Sequence, residues 1–156
     1  ILERDGYDYA SGVQVERFLA NTGRQNEILR RTMEQEDAAG SFVTDRTVVD
    51  LAAYVVCEMH DSDSKTVRNV VDTCSNRAAN YTHLFVCPWE DKPLDANEKR
   101  TLNPWYQFLI HTIELGLLKT WEVPGVPLAG ADIPSKLVEV CNSVAYSTPE
   151  EAAPRE

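Results

Sequence analysis

The sequence lacks a paired cysteine motif. Its four cysteines are scattered, with no Cys-x-x-Cys pair, which argues against a zinc site. Cys57, Cys87 and Cys141 lie in apolar stretches, where cysteine behaves as a small core residue, and we therefore favour reduced thiols in a cytoplasmic protein. An even number of cysteines also permits two disulfides, so a secreted helical protein with a glycan at Asn80 is an alternative.

The sequence also lacks an apolar run of membrane-spanning length and the pattern of a signal peptide. Positive charge is scarce as well, because the formal net charge is -10. Such a surface repels nucleic acid and anionic lipid, which disfavours DNA and membranes as partners. Arg24, Arg30 and Arg31 form a local basic cluster that could meet a phosphate, although we prefer to interpret it as a solvated helix face.

What the sequence does contain is an alternation of helical patterns with short apolar runs. This alternation predicts an α/β protein with a parallel sheet flanked by helices. We expect a single domain over residues 1–146, with a lid at about 89–103, and a disordered tail over 147–156. Strands are predicted at 7–10, 41–44, 83–88 and within 121–128, and helices at 13–20, 24–39, 47–60, 65–79, from 104 onward and at 132–144.

The most informative segment is residues 41–47, in which a short apolar run ends on Asp45 and Arg46 and a helical pattern starts at once. Parallel sheets place ligand-binding groups at the carboxyl ends of their strands. An aspartate there can hold Mg²⁺ directly or through water, and an arginine can grip a phosphate with two parallel hydrogen bonds. The alternative is structural, with Asp45 as a helix N-cap and Arg46 in a salt bridge to Asp50.

The order of these features resembles the NadR-like branch of P-loop nucleoside and nucleotide kinases, which is similar in layout to thymidylate kinases. The resemblance implies a three-layer sandwich that uses ATP and Mg²⁺ to phosphorylate a nucleoside, nucleotide or related acceptor. Three parts of the chain carry it: residues 42–47 with Asp50 and Tyr54, residues 83–88 leading into 93–101, and residues 123–128 leading into 133–144.

The chain departs from this family in one respect. The phosphate-binding loop G-x-x-x-x-G-K-[ST] is absent from all 156 residues. The family layout places that loop and a first strand before Ile1, and residues 1–6 read like the end of a helix. We therefore expect the sequence to begin after the loop; the alternative is a protein that has lost ATP binding.

The resemblance implies a role for several side chains. Asp45 holds Mg²⁺ or its water shell, and Arg46 binds the phosphate or hydroxyl end of the acceptor. Arg100 enters with the lid and neutralises charge on the transferring phosphoryl group, while Asp95 orients the lid. Arg100 and Asp95 can also be interpreted as ordinary solvated charges of a loop. Lys92 and Lys99 are weaker lid candidates.

Other residues are assigned to the acceptor pocket. Glu16, beside Arg17, could activate the attacking hydroxyl, and Gln14 fits that position in another register. We prefer to interpret Glu16 as a structural charge on a helix. Tyr54 could line the pocket or simply belong to the core. Trp89 and Trp105 flank the lid and could stack on a base, although hydrophobic packing is the commoner role.

Two further functions are compatible with the sequence. One is a kinase of a hydroxylated base in DNA, as in virus-encoded (phage-type) base modification. The other is a non-catalytic nucleotide-binding or scaffold protein with a degenerate kinase fold. Related kinases are often dimers, so a homodimer is possible in either case.

Overall fold

The structure is a computed structural model that describes residues 22–59, 64–90 and 103–146. Helices hold 69% of these described residues, and the only strands among them form a two-stranded sheet. The predicted three-layer α/β sandwich is therefore wrong. The elements are α1 (Thr22–Ala39), α2 (Val48–Glu58), α3 (Ser64–Ala78), β1 (Phe85–Val86), α4 (Pro104–Thr120), β2 (Val126–Pro127) and α5 (Ile133–Tyr146).

Helix α2 is apolar around almost its whole circumference, which is typical of a helix enclosed by others. It packs against α1 and α3 and, on another face, against α4. Its side chains supply much of the hydrophobic core, which α3 extends with Val70 and Cys74. The buried residues of α2 are Val48, Val49, Ala52, Ala53 and Val55.

The start of α2 is fixed by a reciprocal cap. The Thr47 hydroxyl accepts a hydrogen bond from the Val49 backbone N–H at 3.1 Å, and an Asp50 carboxylate oxygen accepts one from the Thr47 N–H at 2.8 Å. This capping box satisfies backbone donors that a helix start leaves without partners. The N-cap is thus Thr47, and the structural alternative that placed Asp45 there is wrong.

Helix α1 ends where the sequence predicts. Gly40 follows its last residue with a φ of 68°, a left-handed conformation that glycine adopts without steric cost. The Ser41 backbone N–H then donates to the Ala39 carbonyl at 2.7 Å. The chain therefore leaves α1 sharply and reaches α2 within a few residues.

Strands β1 and β2 are parallel, with Phe85 opposite Val126. The Val126 backbone N–H donates to the Leu84 carbonyl at 2.8 Å. Helix α4 joins the two strands, as a parallel pair requires a long crossover. Gly125 lets the strands meet this helix, because a Cβ there would lie 2.9 Å from a Val86 methyl and 3.1 Å from a Leu118 methyl.

Residues 41–44 do not form the predicted strand. Val43 is fully exposed, and the Phe42 ring lies edge-on to Tyr81 with 6.2 Å between ring centroids. A strand is stable only when a neighbour accepts and donates its backbone hydrogen bonds, and no such neighbour occurs among residues 22–59, 64–90 and 103–146. The prediction was wrong because residues 41–44 have a high strand propensity but no described neighbouring strand to pair with. The strand predicted at 7–10 lies outside the described residues.

Helix α5 lies on the outside of this arrangement. Its first turn is held by Asp132, whose carboxylate accepts the Ser135 backbone N–H at 2.8 Å, as the sequence predicts for a helix start. None of its described residues is buried. None of the helices in the described ranges combines the length and apolar character needed to cross a membrane.

Candidate functional site

The main candidate site lies where α2 packs against α4. Asp50, Tyr54 and Glu58 follow each other at intervals of four residues and so share one face of α2. Tyr106 and Glu114 share a face of α4 in the same way. Together with Arg46, which precedes α2, they form what we call the α2–α4 polar group.

The two helices run antiparallel along this group. At one end, the Tyr106 hydroxyl near the start of α4 donates a hydrogen bond to the Glu58 carboxylate near the end of α2, at 2.6 Å. At the other end, the charge of Asp50 near the start of α2 acts on Glu114 in the second half of α4. The side chains in between therefore line the contact between the helices.

Glu114 is the most unusual member of the group. Burial, reinforced by the negative charge of Asp50 and opposed by the positive charge of Arg46, raises the pKa of Glu114 to about 7. A carboxyl of this kind is present in both its protonated and ionised forms at neutral pH. It can therefore accept or release a proton under physiological conditions.

His111 lies one turn before Glu114, with its Nδ1 3.9 Å from a Glu114 carboxylate oxygen. Burial lowers the pKa of His111, so the imidazole is neutral at pH 7. A neutral imidazole at this distance does not compensate the Glu114 charge. This is consistent with a Glu114 carboxyl that retains its proton to unusually high pH.

Tyr54 lies between the charged residues. Burial raises the pKa of Tyr54, and the nearby negative charges of Asp50, Glu58 and Glu114 act in the same direction, against that of Arg46. The phenol thus stays protonated and can donate a hydrogen bond. With the Arg46 cation and the Glu114 carboxyl, the group can recognise an anion and exchange a proton beside it.

Of the residues predicted from the sequence, the structure brings Arg46 and Tyr54 into one electrostatic group. Arg46 is exposed. The structural alternative paired Arg46 with Asp50 in a salt bridge, whereas the Asp50 carboxylate accepts a hydrogen bond in the cap of α2. Asp45 is also exposed and lies in a turn in which the Thr44 hydroxyl donates to the Arg46 carbonyl at 2.8 Å. The predictions for Glu16, Arg17, Asp95 and Arg100, and for the weaker candidates Gln14, Lys92 and Lys99, fall outside the described residues.

The predicted magnesium ligand can be compared with what Mg²⁺ requires. Asp45 contributes a single exposed carboxylate, which fits Mg²⁺ only as one ligand beside phosphate oxygens and water. Within the parts of the chain that the structure describes, no three or more His, Cys, Asp or Glu side chains gather in a way that could hold a metal ion.

Sequence reasoning missed Glu58, Tyr106 and Glu114. A signal for Glu114 was present, because it is the one acidic residue within the apolar run of α4 from Phe108 to Leu118. A carboxylate in such a run either faces solvent or is buried for a reason. Only the packing of α4 on α2 distinguishes the two.

A second polar cluster lies on the other side of α2 and is fully hydrogen-bonded. The buried Glu36 carboxylate accepts from the Arg77 guanidinium at 2.7 Å and from the Tyr81 hydroxyl at 2.7 Å. Tyr81 Oη in turn accepts from the Val48 backbone N–H at 3.4 Å. This Glu36–Arg77–Tyr81 network ties α1, α3 and the start of α2 together, and its atoms serve the fold.

The basic cluster on α1 is also accounted for. Arg30 and Arg31 both bind Glu27, at 2.8 Å and 2.5 Å, and Arg30 also pairs with Glu34. Hydrogen bonds from the two arginines lower the pKa of Glu27 to about 2. These pairs favour the interpretation as a solvated helix face over a phosphate site.

A group of aromatic side chains lies at the start of α4. The indole rings of Trp89 and Trp105 and the phenyl ring of Phe108 contact one another at the surface. Residues 91–102, which join this part of the chain to β1, lie outside the described residues. Comparison with known proteins finds no family model, no curated protein and no solved structure that matches the chain.

Proposed function

We propose that this chain binds the acceptor in an ATP-dependent phosphotransferase, with a nucleoside, a nucleotide or a related molecule as the acceptor. The observation that carries the proposal is the α2–α4 polar group. It combines Arg46 and Tyr54, two of the acceptor-side residues named from the sequence, with a carboxyl group on Glu114 whose pKa is about 7.

Each of these side chains has a defined task in this proposal. Arg46 binds the phosphate or hydroxyl end of the acceptor, because a guanidinium stays charged and presents several donors. Tyr54 donates a hydrogen bond to an acceptor oxygen. Glu114 in its ionised form takes the proton from the attacking hydroxyl, for which a pKa close to the working pH is favourable.

ATP supplies the phosphoryl group when it is bound, and Mg²⁺ neutralises charge on the phosphates. Asp45 fits this ion as a single ligand. No G-x-x-x-x-G-K-[ST] loop for the donor phosphates occurs in the 156 residues, so the proposal for this chain concerns the acceptor side.

The test measures acceptor binding and phosphoryl transfer separately. Nucleosides, nucleoside monophosphates and oligonucleotides with hydroxymethylated bases are titrated into the chain by calorimetry, and transfer from labelled Mg-ATP is then followed. Arg46→Ala is expected to weaken binding at least about tenfold and to lower any transfer rate about 100-fold. Arg46→Lys should recover part of the binding.

Arg68→Ala is the matched control, because Arg68 is an exposed arginine on α3, away from the polar group. It should bind the acceptor as the wild type does, and both variants should unfold at the wild-type urea concentration. Equal binding by the wild type and Arg46→Ala would refute the assigned role. Binding without transfer would refute catalysis by this chain and leave acceptor recognition standing.

We propose as a second candidate a non-catalytic binding or scaffold protein. The observation that favours it is α5, whose Ile133, Leu137 and Val144 are exposed at helical spacing on one side. Failure of every acceptor to bind would favour this second function.

We also propose a cytoplasmic location. All four cysteines are free thiols, although Cys87 and Cys141 are exposed and available for oxidation. Free exposed thiols are typical of a reducing compartment, and the absence of a bridge weighs against the secreted alternative with two disulfides. A count of four reactive thiols in the denatured protein would support this location.

A further inference from the structure

Three aromatic rings at the start of α4 form a second surface feature, which we call the aromatic trio: Trp89, Trp105 and Phe108. The two indole rings are close to parallel, with 25° between their planes and 6.4 Å between their centroids. Phe108 stands edge-on to both, at 5.1 Å from Trp89 and 6.2 Å from Trp105. Each ring therefore restrains the other two.

The trio is held at the surface. Trp105 is 69% exposed and Phe108 is 44% exposed, and neither belongs to the hydrophobic core that α2 organises. A cluster of large aromatic rings in water is unfavourable for the folded protein alone, and such clusters commonly mark binding sites. Because the three rings already hold one another in place, less conformational entropy is lost when a ligand binds.

The ring geometry indicates what kind of molecule fits. Parallel indole faces are suited to stacking against another flat ring, and a perpendicular phenyl ring supports one side of that stack. Stacking on tryptophan is favourable for every nucleobase because each base has a π-face.

Local charge argues against the other usual ligand of aromatic clusters, an organic cation. The trio lies at the N-terminus of α4, which is the positive end of the helix dipole. The carboxylate of Glu90, the residue after Trp89, is paired with the Lys136 ammonium at 3.2 Å and so adds no net negative charge that would attract a cation. A neutral planar ring is not opposed by these charges.

We propose that the aromatic trio binds a planar heteroaromatic ring of the nucleobase class by stacking on the exposed indole face of Trp105. The inference does not rest on the proposed phosphotransfer. Trp105 precedes Glu114 by nine residues, about 13 Å along the helix, so the trio and the proton-exchanging end of the α2–α4 polar group are separate.

The three tryptophans allow a direct test, since Trp89 and Trp105 belong to the trio and Trp121 does not. Trp121 caps the opposite end of α4 and packs against the core. Adenosine, which is neutral, is titrated into the ¹⁵N-labelled chain while the three indole N–H signals are followed by NMR. The Trp89 and Trp105 signals should shift along one saturation curve, and the Trp121 signal should stay in place.

Trp105→Ala should weaken adenosine binding about tenfold or more, and Trp105→Phe should retain most of it. Leu109→Ala is the matched control, because Leu109 is an exposed apolar residue on the same helix outside the trio. This control should bind adenosine as the wild type does. Circular dichroism of each variant verifies that α4 remains folded.

Each of the following results would overturn the proposal: no shift at the solubility limit of adenosine, equal shifts of all three signals, binding that survives Trp105→Ala, or a response to tetramethylammonium in place of adenosine. Indole signals that change on dilution without ligand would also overturn it, because they would show that a second copy of the chain covers the trio.

Discussion

The two polar clusters on either side of α2 contain similar residues and have opposite properties. In the Glu36–Arg77–Tyr81 network, the carboxylate has a guanidinium and a hydroxyl within 2.7 Å. Beside the α2–α4 polar group, the His111 imidazole, whose pKa is lowered by burial, lies 3.9 Å from the Glu114 carboxylate. Each cluster also contains a half-buried tyrosine that donates to a carboxylate, Tyr81 in the first and Tyr106 in the second.

These two clusters show how a partly buried carboxylate becomes either structural or reactive. Close hydrogen bonds to the ionised form use the charge to hold elements together and leave little capacity for chemistry. A carboxyl that is desolvated and placed near another acid keeps its proton up to neutral pH instead. The first kind stabilises the fold, and the second kind makes the fold less stable as it ionises.

The largest expected effect comes from breaking the satisfied network. Glu36→Ala leaves the Tyr81 hydroxyl without its acceptor and removes one of two carboxylate partners from the half-buried Arg77 guanidinium, which keeps its pair with Asp37 at 2.7 Å. We expect the free energy of unfolding to fall by about 3 kcal/mol. Urea denaturation monitored by circular dichroism measures it. The control is Glu34→Ala, which removes an exposed pair with Arg30 and should cost less than about 0.5 kcal/mol. Similar costs for both variants would show that the network is not structural.

The next effect compares the two tyrosines. Tyr81→Phe removes a hydroxyl that both donates to Glu36 and accepts from the Val48 N–H, whereas Tyr106→Phe removes a single hydrogen bond to Glu58. We expect the free energy of unfolding to fall by about 2 kcal/mol in the first variant and by about 1 kcal/mol in the second. The same denaturation experiment ranks them, and a reversed order would contradict the assignment of Tyr81 to the tighter cluster.

The smallest effect is a pH dependence that belongs to Glu114. Its pKa is raised in the folded protein from an ordinary 4.5 to about 7, so the stability linked to its protonated form is fully present below pH 4.5 and is lost as the pH rises through 7. Glu114→Gln abolishes this loss. We expect the variant to gain about 1 kcal/mol over the wild type between pH 4.5 and pH 8, less than full burial would give, because the carboxyl keeps contact with water.

His111 acts in the opposite direction. Burial lowers its pKa, so the stability linked to its neutral form is present above its ordinary pKa and is lost as the pH falls. The quantity to measure is therefore the difference in unfolding free energy between Glu114→Gln and the wild type at each pH, from which the His111 contribution largely cancels. A difference that stays constant from pH 4.5 to pH 8 would mean that Glu114 ionises normally.

The helices could be predicted from the sequence with some accuracy because their signals are local. Gly40 ends α1, Thr47 and Asp50 cap α2, and Pro104 opens α4, all within the segments in which helical periodicity is visible. The parallel pairing of the segments around Phe85 and Val126 also followed from apolar runs separated by a helix. The prediction of the fold class was wrong because residues 41–44 have side chains typical of a strand but no described strand to pair with.

Only some residues of the candidate site could be predicted from the sequence. Arg46 and Tyr54 could be chosen because they belong to a short motif beside a helix start. Glu114 could not, because its pKa depends on the distance of α4 from α2 and on the charge of Asp50 across that contact. The aromatic trio could be predicted in part. The sequence places Trp89 and Trp105 on either side of the predicted lid, and the tertiary structure adds Phe108 and the orientations of the rings.

By itself, the sequence determined where the described helices begin, to within two residues, and that the protein carries a strong negative charge, because both depend on residue type and local spacing. The tertiary structure alone decided which polar residues are paired and which are left to exchange protons. Hydrogen bonding and desolvation depend on side chains as far apart in the chain as Asp50 and Glu114, and only packing brings these together.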